Sequence, residues 1–455
     1  MTKITSMAAD FIESFNYERI PQAVVEKAKL FVIDLMGVTV AGSAEPVGKI
    51  IREFSPLPGE SSASIMGGSR KTTQDWAALV NGTSGHALDF DDVSEPMYGH
   101  PTVTVLPAAL AVAENLGKSG SALIESYIIG LEFAVKLFYA MNPVHYEHGW
   151  HSTATMGSVG STAAASKLYG LSGVQLRNAL AMGCTQAFGI QQNFGTMTKP
   201  FHAGKAAQNG VIAAMLASRG WTGDQCIFEG PVGYFHVFCA PGEYHPEEFI
   251  NHLGSPFVLE DSGLIIKKYP SCAFSHPAVD AAIEIAKNPK FKPSEVEKIE
   301  SQILPINNQV LLHKKPKTGL EAKFSLEGCL AMALIDGNLN IRSFADESGL
   351  KPKIQAMMKK IERRVVENPG GNAQDFGPSS VRVFLRNGEV LEATVKNAKG
   401  TPQNPMSQAE IKEKYRNCCS GILAEKDIEK SLDLILRLDT LDRLDELMAC
   451  YQPTA

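Results

Sequence analysis

Residues 157–170, GSVGSTAAASKLYG, constrain the fold more than any other stretch. Gly, Ser and Ala are too small to fill a core by side-chain volume. A helix made of them is stabilised only if neighbouring helices come close enough to touch its backbone. Each Gly also costs roughly 1 kcal/mol of helix propensity relative to Ala, which tertiary packing has to offset. The same small-residue character recurs around it. Hydrophobic spacing and Gly/Pro punctuation predict helices over 21–41 (opened by Pro21 and closed by Gly42), 105–117, 120–141, 152–169, 173–188 and 200–219. The implied object is a compact all-helical domain.

The pattern changes after residue 268. SEVEKIESQIL (294–304) reads as strand, and SSVRVFLRNGEVLEATVKN (379–397) alternates on both sides of Asn387-Gly388, a strong hairpin signal. Helices are predicted at 322–336 and 352–361. The tail, from EIKEKYRNCCSGI onward, returns to helical periodicity. The expected fold class is therefore mainly α with α+β. An all-helical domain spans 1–268 and is completed by 401–455, and a smaller α+β domain spans 269–400.

With 455 residues the chain has ample material for a real core. Hydrophobic residues make up 44% and charged residues 20%, an ordinary globular balance. The net charge of −6 and the lack of any Lys/Arg block exclude a nucleic-acid partner. The N-terminus lacks a signal-peptide apolar core and carries Asp10 and Glu13, and no run of about 18 uncharged apolar residues appears. No membrane association and a cytoplasmic location are expected. The eight Cys are scattered with no CxxC, as free thiols in a reducing compartment would be.

Four segments concentrate chemistry. HALDFDDVSEPMYGHP (86–101) holds three Asp, one Glu and two His. His86, Asp89, Asp91, Asp92 and His100 offer metal-ligand atoms, but without HxxxH or HExxH spacing. Alternatively Asp91 or Asp92 caps a helix, with Pro96 and Pro101 as stops. A third reading is an acid/base or substrate-positioning loop between helices. In HYEHGWHST (145–153) the histidines recur every third residue, but Gly149 and Pro143 argue against one clean helix. Two of the three are expected at the surface, with His151 at the start of the next helix.

NFGTMTKPFHAGKAAQNG (193–210) places Lys199 on the N-cap side of a helix begun by Pro200. Free N–H groups there attract a carboxylate. The same field disfavours a protonated lysine, which makes Lys199 a general-base candidate. The plain alternative is a solvated lysine before a helix. IIKKYPSCAFSHPAVDAA (265–282) brings Lys267, Lys268, Cys272 and a His to the domain boundary, and a buried thiol is the default for Cys272. Neither GxGxxG nor GxxxxGK[ST] occurs. The combination suits an enzyme that handles a small polycarboxylate without a cofactor.

At HALDFDD, GHPTVTVLPAALAVAE, GWHSTATMGSVGSTAAASKLYGLS, NFGTMTKPFHAGKAAQNGV and EAKFSLEGCLAMALIDG the chain resembles the MmgE/PrpD family, in family order and over nearly its whole length. That family includes 2-methylcitrate dehydratase, cis-aconitate decarboxylase and iminodisuccinate epimerase. The resemblance implies a large all-helical domain, a smaller α+β lid domain, a cleft between them, a homodimer and chemistry without metal. It places active-site positions on Asp89, His100, His151, Lys199 and Lys267.

Two positions depart from the dehydratase and decarboxylase branches. Cys272 stands where they carry a His, and Gly328 where they carry a Tyr in a later helix. HYxxGWH, GTMTKP and PSC resemble the epimerase branch more closely, which makes Tyr146 a candidate acid opposite Lys199. The expected reaction is removal of a proton next to a carboxylate. Lys199 or His151 is the base, Asp89 orients a partner, and His100 stabilises charge. Lys267, His202 and Cys272 line the substrate. The rivals are a metal-dependent hydrolase built on the His/Asp cluster and a non-catalytic helical scaffold.

Overall fold

The computed structural model describes residues 3–57, 62–261, 263–345, 351–367 and 377–452. The chain forms two compact units. The first comprises Met1–Asn193, Met197–Leu264 and Ser407–Ala455; the second comprises Phe194–Thr196 and Ile265–Met406.

The first unit is built on helices α1 (Gln22–Ser43), α2 (Gln74–His86), α3 (Thr102–Asn115), α4 (Gly120–Lys136), α5 (Ser152–Tyr169), α6 (Gly173–Thr185) and α7 (Thr198–Ser218). The predicted 120–141 helix breaks after α4, and a separate short turn follows at Phe138–Met141. Helix α5 is buried on every side from Ser152 to Ser166, as expected for a helix surrounded by others. Its hydroxyls are satisfied within the helix: Ser158 Oγ donates to the Ala154 carbonyl at 2.8 Å, and Thr162 Oγ1 to that of Ser158 at 2.7 Å.

The small residues act through backbone approach. Helix α7 packs against both α2 and α5. A Cβ on Gly204 of α7 would lie 2.2 Å from the Leu79 carbonyl oxygen, and one on Gly82 of α2 would lie 2.7 Å from Gly204 Cα. Across α4 and α5, a Cβ on Gly160 would come within 2.6 Å of the Gly130 carbonyl. Such crossings bring α2 and α7, and with them His86 and Lys199, close together.

The second unit carries strands β1 (Val296–Ile303), β2 (Ile361–Val365), β3 (Ser379–Leu385) and β4 (Val390–Val395) in the order β2-β1-β3-β4. The pair β1/β2 is parallel, and β1/β3 and β3/β4 are antiparallel. The β3/β4 hairpin turns at Asn387-Gly388, where Gly388 takes a φ of 85°. Along β3, Ser379, Val381, Val383 and Leu385 point inward. Helix α8 (His276–Ala286) packs on β3, β4 and α9 (Leu326–Asp336).

The predicted helix at 352–361 is shorter: it ends at Met358, and Ile361 begins β2. Only Ile361 of that strand is buried. An edge strand exposed along most of its length leaves little period-2 signal. The chain then returns to the first unit as α10 (Gln408–Cys419) and α11 (Glu425–Leu436). Ser407 and Glu410 form a reciprocal capping box at the start of α10. Among the described residues no single helix is long and apolar enough to cross a membrane.

Gly204→Ala should lower stability by about 1–3 kcal/mol, the usual cost of forcing an extra methyl into a packed contact. Urea unfolding followed by circular dichroism would read this as an earlier midpoint. An unchanged midpoint would contradict the backbone-contact account.

Candidate active site

The loop after α2 and the first turn of α7 meet in the first unit. Lys199 is the second residue of α7, with Pro200 behind it. It lies inside the helix, where the sequence suggested its N-cap side. It is also buried at 4% exposure, so the solvated alternative does not hold. Its Nζ donates to Asp89 Oδ1 at 2.6 Å and to His86 Nε2 at 2.7 Å. An amine at a helix N-terminus faces an unfavourable dipole; here a carboxylate sits directly against it. Asp89 reaches that position with a φ of 50°, a left-handed conformation that costs a non-glycine residue roughly 1–3 kcal/mol.

Behind Lys199 the network continues. His86 Nδ1 lies 2.9 and 3.0 Å from the two Asp91 oxygens. A carboxylate only accepts, so Nδ1 carries the proton and Nε2 receives the bond from Lys199. Burial, with the positive charge of Lys199 adding to it, outweighs the pull of Asp91 and holds the His86 imidazole down at about 4. Burial alone would raise the Asp91 carboxyl, but the facing imidazoles hold it far below the usual range. The chain Asp91–His86–Lys199–Asp89 is thus a carboxylate, a neutral imidazole, an amine and a carboxylate in sequence.

His100 faces the same cluster. Its Nδ1 donates to the Asp92 carbonyl at 2.8 Å, and its backbone amide donates to Thr153 Oγ1 at 3.0 Å. Because a carbonyl cannot donate, Nδ1 carries the proton of that contact, and Nε2 lies 3.8 Å from Asp89 Oδ1. Asp92 plays a different part from its neighbour. Burial first, then the charge of Asp91, keeps its carboxyl well above the usual range, and its Oδ2 accepts from Thr102 Oγ1 at 2.9 Å. Neither Asp91 nor Asp92 caps a helix, because Asp91 is turned to His86 and Asp92 bonds a side-chain hydroxyl.

His151 is the N-cap residue of α5. Its Nδ1 lies 3.0 Å from Nδ1 of His202 on α7. One must donate and the other accept, so the two rings hold different tautomers. Both are driven down from the usual range by burial and then by Lys199, His202 to about 4. The His151 ring also stacks on His86, with centroids 6.2 Å apart. Tyr146 is buried against the ring of Tyr98, two residues before His100, at 4.8 Å. Of the other two histidines in its segment, His148 is exposed. His145 is buried, contrary to the surface expectation: its Nδ1 donates to the Phe238 carbonyl at 3.1 Å and its Nε2 contacts Thr155 Oγ1 at 2.7 Å.

Lys267 and Cys272 belong to the second unit, and both are buried. The Cys272 amide donates to the Lys323 carbonyl at 3.0 Å, and its own carbonyl accepts from Ser275 Oγ at 2.8 Å. All eight cysteines are free thiols.

His86, which the sequence offered as a metal-ligand type, and Asp91, offered as a metal ligand or a helix cap, turn out to be the centre of the network. Among the described residues, His86, Asp89 and His100 could converge on a cation, their ligand atoms lying within 4.8 Å of one another. Lys199 Nζ already engages two of those three residues, so the lysine is the cationic centre of this cluster as folded. The arrangement can do two things chemically: present a basic donor to an anion, and hold buried imidazole rings near it.

The folded state holds fewer protons on His86, His145 and His202 than the unfolded chain does between about pH 4 and the usual 6.5. Their contribution to stability is therefore complete above about 6.5 and is lost as pH falls toward 4. Histidine-selective NMR should find these rings still neutral near pH 5.5. Midpoints near 6.5 would contradict the burial argument.

Two family models match this chain, the MmgE/PrpD N-terminal domain over residues 7–247 and the MmgE/PrpD C-terminal domain over residues 269–440. Cis-aconitate decarboxylase of Homo sapiens is 27% identical, over 97% of this chain and 93% of its own length. That of Mus musculus is 26% identical, over 97% and 92%. The mitochondrial 2-methylcitrate dehydratase of Yarrowia lipolytica is 23% identical, over 94% and 86%. With both domain models matched in order across the two units, the chain belongs to the MmgE/PrpD family.

Proposed function

We propose that this protein is a lyase acting on a small tricarboxylate of the cis-aconitate or 2-methylcitrate class. The observation that carries the reading is the buried Lys199–Asp89 contact with the His100 ring facing it, Nε2 3.8 Å from Asp89 Oδ1. The full-length similarity to decarboxylases and a dehydratase supports it.

These reactions share one difficulty. A carbanion forms next to a carboxylate, and its charge spreads onto the carboxylate oxygens. In dehydration a base takes the α-proton while hydroxide leaves with a proton from an acid. In decarboxylation the electron pair released by CO2 moves through the alkene and is quenched by a proton. Either way the site needs a fixed cation aimed at the developing charge and a group that exchanges protons.

Lys199 is the cation in this proposal. Its Nζ is held from behind by His86 and from one side by Asp89, so it does not reorganise as charge develops. His100 exchanges the proton through Nε2, because its Nδ1–H is fixed on the Asp92 carbonyl. His151, its tautomer tied to that of His202, is the second proton-exchanging candidate. Lys267 and Cys272 enter as substrate contacts on the strength of the family resemblance. No step needs a metal, since the ammonium supplies the positive charge.

A second reading is an epimerase acting on a substrate such as iminodisuccinate. It is favoured by Cys272 and Gly328. Gly328 lies buried in the first turn of α9, where its amide is capped by Ser325 Oγ, and it offers no phenol. Cys272 offers no imidazole. In that case Tyr146 would return the proton.

Proton NMR in D2O separates the two readings. The protein should convert cis-aconitate or 2-methylcitrate with net loss of CO2 or water, and activity should survive a chelator. Exchange of the iminodisuccinate α-proton without net loss would favour the epimerase; no turnover of any of these would reject both. Lys199→Ala should lower kcat by about 10²–10³-fold, the usual cost of removing a charge-stabilising donor. A variant that kept most of its kcat would contradict the role given to Lys199.

A further inference from the structure

The first unit contains a second buried ion pair, far in sequence from the motifs above. Asp34 of α1 and Lys414 of α10 meet with Nζ 2.6 Å from Oδ1, at 2% and 7% exposure. Lys414 Nζ also donates to the Phe90 carbonyl at 2.8 Å and lies 3.8 Å from the centre of the Phe90 ring. Phe90 is the residue between Asp89, which contacts Lys199, and Asp91, which contacts His86.

Stability alone is a poor reason for this arrangement. Desolvating two charges roughly cancels their attraction, and apolar residues of similar volume often serve as well. The third contact is the distinctive one. Asp89 occupies a left-handed conformation, which Asp tolerates better than most residues but still at a cost, and such a conformation persists where its surroundings fix it. The Phe90 carbonyl is the next backbone acceptor after that strained residue, and a charged donor grips it. The grip is itself held in place by Asp34 on one side and, one residue on, by Tyr415, whose hydroxyl meets Ser431 Oγ at 2.5 Å and the Tyr451 hydroxyl at 2.6 Å.

We propose that Lys414, held by Asp34, is a positioning residue: by gripping the Phe90 carbonyl it sets the Asp89–Asp91 segment so that Asp89 meets Lys199, Asp91 meets His86, and the Asp92 carbonyl meets His100. Helix α10 thereby contributes to the site without touching substrate. This inference rests on the functional reading above for its kinetic consequence, though not for its structural one.

The test is the paired variant Asp34→Leu/Lys414→Met, which replaces both charges by apolar side chains of similar size. Thermal stability should stay within a few degrees of wild type, while kcat falls about tenfold or more with KM changed less than about threefold. Nitrogen-15 NMR of labelled histidine should show the His100 Nδ1–H signature in wild type and lose it in the variant. That signal needs no substrate, so it decides the proposal even if no tricarboxylate is turned over.

Should the paired variant not fold, Lys414→Arg takes its place. It keeps the ion pair but moves the donor off the Phe90 carbonyl, and the same losses are expected. A folded variant of either kind with wild-type kcat and an unchanged His100 signal would overturn the proposal.

Discussion

The contact between Lys199 and Asp89 is the interaction on which the rest of the site depends. It places an amine and a carboxylate 2.6 Å apart at the start of α7, in a region both residues reach only by being buried. Burying charges is expensive, so each group must be answered. Lys199 is answered by Asp89 and His86, His86 by Asp91, and Asp91 by His86 and His100. Removing any member leaves its neighbour uncompensated in a low-dielectric setting, which makes the network a single unit rather than a set of independent residues.

The helical scaffold exists to make that approach possible. His86 is the last residue of α2 and Lys199 the second of α7. They meet because the two helices cross through Gly82 and Gly204 with no side chain between them. The same economy explains α5, whose small residues let α4 and α7 close in on it and whose N-cap residue is His151. A chain with larger residues at these crossings would hold the helices apart, and the two halves of the network would not touch.

Much of this is legible in the sequence where the signal is local. The small-residue helices begin and end close to their predicted bounds because Pro, Gly and hydrophobic spacing act over a few residues. The hairpin at Asn387-Gly388 is legible because the turn requires a positive φ. The strand at Ile361–Val365 is not, since only one of its residues is buried. The burial of His145 is invisible because its partner carbonyl belongs to Phe238. The pairing of His86 with Asp91 follows no helical or strand period, because Asp89 reverses the backbone between them. Lys414 lies 324 residues from the carbonyl it grips, and no spacing rule spans that distance. Family resemblance named Asp89, His100, His151, Lys199 and Lys267 as expected site positions, yet it pointed to neither the tautomers nor the order of charges.

The central claim is that Lys199 Nζ receives a substrate carboxylate while His100 Nε2 faces the carbon that exchanges a proton. It is tested most directly by a crystal structure with propane-1,2,3-tricarboxylate, a saturated and unreactive relative of cis-aconitate. The account predicts one carboxylate within hydrogen-bond distance of Lys199 Nζ, with a carbon of the ligand facing His100 Nε2. A ligand seated elsewhere, with the Lys199–Asp89 and Lys199–His86 contacts closed and solvent-free, would mean that the network is structural and that the chemistry lies at another site.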